Sequence, residues 1–346
     1  MLEFVPALPP FLSALILSTL PLFTPHSMVM AQQHVPARAL IYSATADFRH
    51  DSIPTARDAL TAKGSSLNIQ FDATEDKGRF TDDGLAPYDL LIFLMNTGEV
   101  LDDTGKTALQ KYLDLGGNFI AIHAASDALR NTTFYGREVG AFFDYHPALQ
   151  NATVDVIDAS HPSTSMLPAQ WHVQDEMYNF KSDPRSVGAV VVLSADESSY
   201  TDPGPRNFNQ GTPHPTAWYQ ERGAGVDSNG TAGRSFYTSL GHLNETWQDN
   251  LFMGHVTGGI TWALQSNTTR AFNTSAAVGN PDGASSSSSR SAGPTASKGA
   301  ASGTGSSSAS NTSPSTSDAF SLAVSRSAVA FGTALLGLVG VFSLLG

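Results

Sequence analysis

"GGNFIAIHAASDAL", residues 116–129, is the stretch on which the reading of the fold turns. Two glycines close one element, and "NFIAIH" then runs without polar alternation, the pattern of a strand buried on both faces. A polar turn, His123, Ala124, Ala125, Ser126 and Asp127, follows at once. In many α/β enzymes a sharp turn after such a strand presents a nucleophile. The whole chain has no cysteine, so a thiol in that role is excluded, and with it thiol glutaminase and cysteine protease chemistry.

Working outward, "RALIYSA" (38–44) reads as a first strand, followed by the polar turn "TADFRHDS". Pro54 sits where a first helical turn tolerates it, behind Asp51 or Ser52 as cap. Ile53, Ala56 and Leu60 recur at helical spacing, "SLNIQFDAT" is a second strand and "YDLLIFLMNTG" a third. Asp102 or Asp103 opens a second helix with Leu109, Tyr112 and Leu113 on one face, and Gly116-Gly117 ends it. Strand–helix alternation with continuously apolar strands indicates a parallel sheet covered on both faces. After residue 145 the texture changes: "ATVDVI", "WHVQDEMYNF", "VGAVVVLS", "HPTAWYQE" and "RSFYTSLGH" are strand-like, with little helix until a closing helix at 247–264. The expectation is one α/β domain over 38–266, with a strand-rich second half and no internal repeat.

In open parallel sheets, ligands bind outside the carboxyl ends of the strands. His50 and Asp51 follow the first strand, Asn96 the third, and His123 with Asp127 the fourth. His146 ("FDYHP"), Asp175 and Glu176 ("DEMYNF"), His214 ("HPTAWY") and His242 ("SLGH") lie in distinctive settings, and eight histidines fall within residues 40–265. Any one of these has a plain structural explanation, since a histidine at a strand end usually bonds a loop carbonyl. His161 and His172 have no supporting company, and His255 lies at helical spacing, where packing explains it. Several imidazoles and carboxylates on one rim, however, suit proton transfer or metal binding. Tyr178 and Trp218 lie in strand-like segments, where aromatic residues are more often core. No local H-E-x-x-H spacing is present, so a metal would have to be gathered from some of His50, His123, His214 and His242. Ser126 is a conceivable nucleophile, but no Ser-His-Asp order is apparent.

The remaining length describes a cell-surface setting. Residues 1–31 have an apolar run and a small-x-small ending at Val29-Met30-Ala31, as in a secretory signal, though Glu3 and the lack of Lys or Arg are atypical. Residues 276–318 are Ser, Thr, Gly and Ala with scattered Pro, too poor in large apolar side chains to offset chain entropy, so a disordered stalk is expected. The uncharged tail 328–346 reads either as a GPI-attachment signal, which small residues and a polar spacer upstream favour, or as a transmembrane span. Attachment would fall between Ser310 and Ser317. Asn-x-Ser/Thr sequons begin at Asn131, Asn151, Asn229, Asn244, Asn267, Asn273 and Asn311. Without cysteine there are no disulfide staples, and the fold must stand on its core. The net charge of −12 argues against nucleic acid or an anionic lipid surface as partner.

Six of these segments, "FRHDSI", "GGNFIAIHAASD", "DYHP", "DEMYNF", "HPTAWY" and "GRSFYTSLGH", in this order, resemble the ThuA-like (trehalose utilisation) family over about residues 38–266. The resemblance implies a flavodoxin-like, class I glutamine amidotransferase-like three-layer sandwich with a mostly parallel sheet. It places His123 where amidotransferases carry the catalytic cysteine. It also implies a carbohydrate ligand, a ketosugar or oxidised disaccharide, handled by His/carboxylate acid–base chemistry. His50, His123 and Glu176 would then transfer protons, and Asp127, Asp175, His146, His214 and His242 would orient substrate or bases. Asn96, Tyr178 and Trp218 would contact the sugar. The rival expectation is a non-catalytic carbohydrate-binding or cell-wall protein that keeps the pocket. Neither expectation identifies a cofactor.

Overall fold

Each central strand divides its side chains between two cores, because successive residues of a strand point to opposite faces. In β1 (Ala37–Tyr42), Ala39 and Ile41 enter one core while Leu40 and Tyr42 enter the other. In β3 (Leu90–Leu94) the split is Leu90, Ile92, Leu94 against Leu91, Phe93, and in β5 (Asn118–Ile122) Ile120, Ile122 against Phe119, Ala121. Burial of every residue in β3 and β5 is what unbroken apolar runs require. At about 1.5–3 kcal/mol for each large apolar side chain, this block is the main source of stability.

The computed structural model describes residues 35–279, all within one compact unit. The expected signal (1–31), the hydrophobic tail (328–346) and nearly all of the stalk (276–318) lie outside the described residues. Among the described residues, no helix is long and apolar enough to cross a membrane. Two-residue strands β4 (Thr97–Gly98) and β6 (Asp127–Ala128) pair with each other, as do β7 (Phe143–Tyr145) and β10 (Asn179–Phe180). The other strands are β2 (Ile69–Thr74), β8 (Gln150–Val156), β9 (Gln170–Asp175), β11 (Val190–Ala195), β12 (Pro215–Gln220) and β13 (Ser235–Thr238). With β1, β3 and β5 they form one nine-stranded sheet in the order β2-β1-β3-β5-β13-β12-β11-β8-β9. From β2 to β13 neighbours run parallel, and from β13 to β9 antiparallel. The strand-rich second half therefore extends the parallel sheet, and β13 is the seam.

Helices α1 (Ile53–Leu67) and α5 (Asn250–Leu264) contribute to one core, and α3 (Asp103–Asp114) and α4 (Thr133–Val139) to the other; α2 (Asp82–Leu85) is a single turn. This arrangement fits the flavodoxin- or glutamine amidotransferase-like α/β fold expected from the sequence. Asp102 caps α3 through the Gly105 N–H at 3.0 Å, and the chain leaves that helix through Gly116 at φ +97°, a conformation a side chain would strain. Three local readings need correction. Leu67 and Asn68 finish α1 and do not begin β2, Asn68 closing the helix in the left-handed region. "WHVQDEMYNF" is not one strand but breaks after Asp175, whose carboxylate accepts the N–H of the next residue and bends the chain. Nor does the fold stop at 266: Asn118 Nδ2 donates to Thr269 Oγ1, Arg270 N donates to Asp89 Oδ1, and Val278 is buried in the second core.

Candidate functional site

Four strands of common direction end on one rim, and each delivers a polar residue there. His50 comes from the loop after β1, His123 directly after β5, Glu176 directly after β9, and His242 from the loop after β13. One donor atom from each lies within 4.8 Å of the others. His123 Nε2 is 3.1 Å from His50 Nε2 and 3.7 Å from Glu176 Oε2, and His242 Nδ1 is 3.2 Å from Glu176 Oε2. The last contact is an ion-pair distance without hydrogen-bond alignment.

His123 occupies the sharp turn with φ +54°, a left-handed conformation that is uncommon for a β-carbon-bearing residue. Its Nδ1–H donates to the Ser239 carbonyl at 2.6 Å, which fixes the tautomer and leaves Nε2 as a lone pair directed at the cluster. The Tyr237 hydroxyl donates to the His123 carbonyl at 3.0 Å and so holds the turn from below. Tyr178 stacks on the His123 ring at 4.7 Å and brings its hydroxyl to 3.1 Å from Nε2.

Burial pushes His50 down to about 4, helped by the neighbouring His242, and pushes His123 well below the usual imidazole range. His242 moves the other way, raised by its contact with Glu176. For Glu176 burial alone would raise the carboxyl, but His242 and His146 outweigh it and hold the group low. Two neutral imidazoles thus stand beside a carboxylate and an imidazole with enhanced affinity for a proton. Environments that push neighbouring groups apart in this way separate acid from base.

The other anticipated residues fall into three placements. His146 faces the cluster, with Nδ1 3.5 Å from Glu176 Oε1 and its ring stacked on Tyr178. Asp175, His214 and Asn96 stand behind it. Asp175 Oδ2 accepts the N–H of Gly241 at 2.8 Å and of His242 at 3.4 Å, while Oδ1 accepts that of Glu176. Burial pushes this carboxyl up to about 7 against those three donors. His214 Nε2–H donates to the Tyr178 carbonyl at 2.8 Å, and Asn96 Nδ2 donates to the Ala44 carbonyl, leaving a buried, unpaired Oδ1. Asp127 and Trp218 are turned elsewhere. Asp127 chelates Arg130 on the surface, and Arg130 also reaches Asp47. Trp218 is enclosed in the second core and donates to the Val139 carbonyl, so its ring has no free face for a sugar. Ser126 is likewise buried, against the Tyr237 hydroxyl.

Sequence reasoning missed Phe48, which is 65% exposed and stands edge-on to His50 at 4.8 Å. An exposed aromatic two residues before a rim histidine was the available signal. It also missed the Ser239 carbonyl, which no side-chain pattern announces. A cleft of about 300 Å³ lies at the opposite end of the strands, lined by Ala37, Leu67, Ile69, Leu264 and Phe272 among others, and contains no titratable group.

Comparison with known proteins gives the family. Among solved structures, a ThuA-like protein of Bacteroides uniformis matches with a TM-score of 0.54 and 20% identity, covering 68% of this chain and 95% of its own. Another from Parabacteroides merdae matches with a TM-score of 0.49 and 17% identity, covering 66% and 90%. No curated protein matches. A sequence model of the family described as ThuA, trehalose utilisation, matches residues 38–263, which include every residue of the cluster. The chain belongs to the ThuA family, and its role is carbohydrate-related.

Proposed function

We propose that this protein is a cell-surface enzyme that acts on a ketosugar or oxidised disaccharide by acid–base chemistry at the histidine rim. The observation that carries the reading is the opposed tuning of adjacent groups, with neutral His50 and ionised Glu176 beside a His242 that favours its proton. A ketosugar has acidic hydrogens next to its carbonyl. One such proton passes to Glu176 or His50, the C–H electron pair moves onto the carbonyl oxygen, and the His242 imidazolium donates to that oxygen. Phe48 offers an apolar face to the sugar ring at the mouth, and Tyr178, held by His214, fixes the plane of His123.

The test is hydrogen exchange. A keto-disaccharide incubated with the protein in D2O should lose the NMR signal of the hydrogen beside its ketone, and Glu176→Ala should abolish this. Wild-type protein that binds the sugar without exchange or turnover between pH 5 and 8 would establish the rival reading, a binding protein that retains the pocket.

The cell-surface part rests on composition: the apolar start, the Ser/Thr-rich stretch and the uncharged run 328–346. Asn131, Asn151, Asn229 and Asn267 are exposed, as glycan acceptors must be. Phosphatidylinositol-specific phospholipase C should release the protein from cells. Retention after the lipase, with peptides of 328–346 still present, would indicate a transmembrane anchor instead.

A further inference from the structure

The four-residue cluster has a feature that proton transfer alone does not require. Three imidazoles and one carboxylate from four separate loops point single donor atoms at one spot. Two of the nitrogens, on His50 and His123, face each other at 3.1 Å. We propose that His50, His123, His242 and Glu176 bind a divalent first-row cation of the zinc class.

Distances support this. Donors about 2.0–2.1 Å from a tetrahedral ion lie about 3.3–3.4 Å from one another. The separations here are 3.1 Å between His50 and His123, 3.2 Å between His242 and Glu176, and 3.7 Å between His123 and Glu176. The longest separation within the set, 4.8 Å, must shorten by about 1–1.5 Å to complete the shell. Three nitrogens, one oxygen and no sulfur select zinc, cobalt or nickel over calcium and magnesium, which take oxygen shells.

The surrounding bonds are those of a ligand set. His123 gives its Nδ1–H to the Ser239 carbonyl, the usual outer-shell bond that aims Nε2 at an ion. Asp175 holds the backbone of both Glu176 and His242, so two of the four ligands share one anchor. His50 Nδ1 and His242 Nδ1 are buried without a hydrogen-bond partner. A cation answers this for His242 directly, since Nδ1 is the nitrogen that faces Glu176.

This inference deepens the proposed function without depending on it. An α-hydroxyketone offers two adjacent oxygens to such an ion, which would polarise the carbonyl in place of the His242 proton. Glu176 and the three histidines would hold the ion, and it would supply Lewis-acid polarisation of the substrate carbonyl. His146, which faces Glu176 but is outside the four, would be the group left to take the proton released beside that carbonyl.

The experiment is elemental analysis of full-length protein purified without a metal-affinity tag, followed by chelation and titration with cobalt(II). We expect about one zinc-class ion per chain, a lower Tm after chelation, and an intense visible cobalt band of a low-coordinate site. His242→Gln and Glu176→Gln should each weaken cobalt binding by at least about tenfold, while His146→Ala should retain the ion. Wild-type protein carrying under about 0.1 ion per chain, with no saturable cobalt binding tighter than about 100 μM, would overturn the proposal. Because the wild type decides this, a variant that fails to fold does not obscure it. Bound ion without sugar turnover removes only the enzymatic reading; turnover that is indifferent to chelation removes only the metal.

Discussion

The two halves of the sheet hold their share of the site by different means. In the parallel half, β1, β3 and β5 are buried on both faces, and His123 is the residue immediately after β5. Its position follows from backbone and core. In the antiparallel extension, the edge strand β9 alternates between exposed and buried residues, and Glu176 and Tyr178 lie in an irregular segment between β9 and β10. Their positions follow from side-chain bonds: Asp175 to the Glu176 and Gly241 amides, His214 to the Tyr178 carbonyl, and Asn179 Nδ2 to Asp202. One half places its chemistry by packing, the other by buried polar contacts, each of which a single substitution can remove.

The largest expected effect lies on the packed side. His123→Ala should lower turnover of a keto-disaccharide by about 10³-fold, the scale of losing a positioned proton-transfer group or ligand. The Tm should fall, since a buried side chain bonded to the Ser239 carbonyl is lost, but the fold should persist because the turn is fixed by Tyr237 and by the strand beneath it. A His123→Ala protein that unfolds would show that the side chain, and not the backbone, holds the packed half. Next comes the anchor of the irregular side. Asp175→Asn keeps the size of the group but offers one acceptor oxygen to the amides of both Glu176 and Gly241. The loss expected is about 10–100-fold in turnover, as for supporting residues of a site, with a lower Tm. Turnover within about twofold of wild type would break the contrast.

How much was legible follows the same division. The parallel strands, α1, α3 and the turn at His123 could be read because continuous apolar runs, Pro54 and a capping Asp102 are local signals. His50, His123, Glu176 and His242 could be proposed together only as residues of one rim. Their convergence depends on β9 and β13 running in the same direction as β1 and β5, which no local pattern encodes. The cap of α1 shows the limit at one residue. Ser52 is the N-cap, but its hydroxyl makes no capping bond and donates to the His242 carbonyl at 2.7 Å, 190 positions away in sequence. Trp218 misled for the opposite reason: strand aromatics look alike in sequence whether they face a ligand or, as here, Phe180 and Tyr237.

A further contrast concerns pH. Glu138, on α4, is fully buried against Gly225, and burial pushes its carboxyl from 4.5 up to about 7. A group whose pKa is raised on folding contributes its stability fully below the unfolded value, and that contribution is lost as pH rises through the folded value. The wild type should therefore lose about 1–3 kcal/mol between pH 4.5 and 7 that Glu138→Gln does not lose. Denaturant unfolding of both proteins at pH 5 and pH 8 measures it. Parallel pH profiles would mean that Glu138 stays ionised in the folded protein.

The smallest effect is expected at Asp127, four residues beyond His123 and yet outside the cluster. Its carboxylate meets Arg130 at 2.6 and 2.5 Å, and Arg130 also meets Asp47 at 2.8 Å, with all three side chains partly exposed. Solvent screens such a triad, so Asp127→Asn should cost no more than about 1 kcal/mol, and less as salt is raised. Since β6 pairs with β4 through the backbone, the turn after His123 should keep its course without the charge. Turnover should remain within about twofold of wild type, measured beside Asp175→Asn under the same conditions. A tenfold loss at unchanged Tm would instead bring Asp127 into contact with substrate. The site would then extend along the edge of the parallel half, toward Asp47 and the exposed ring of Phe48.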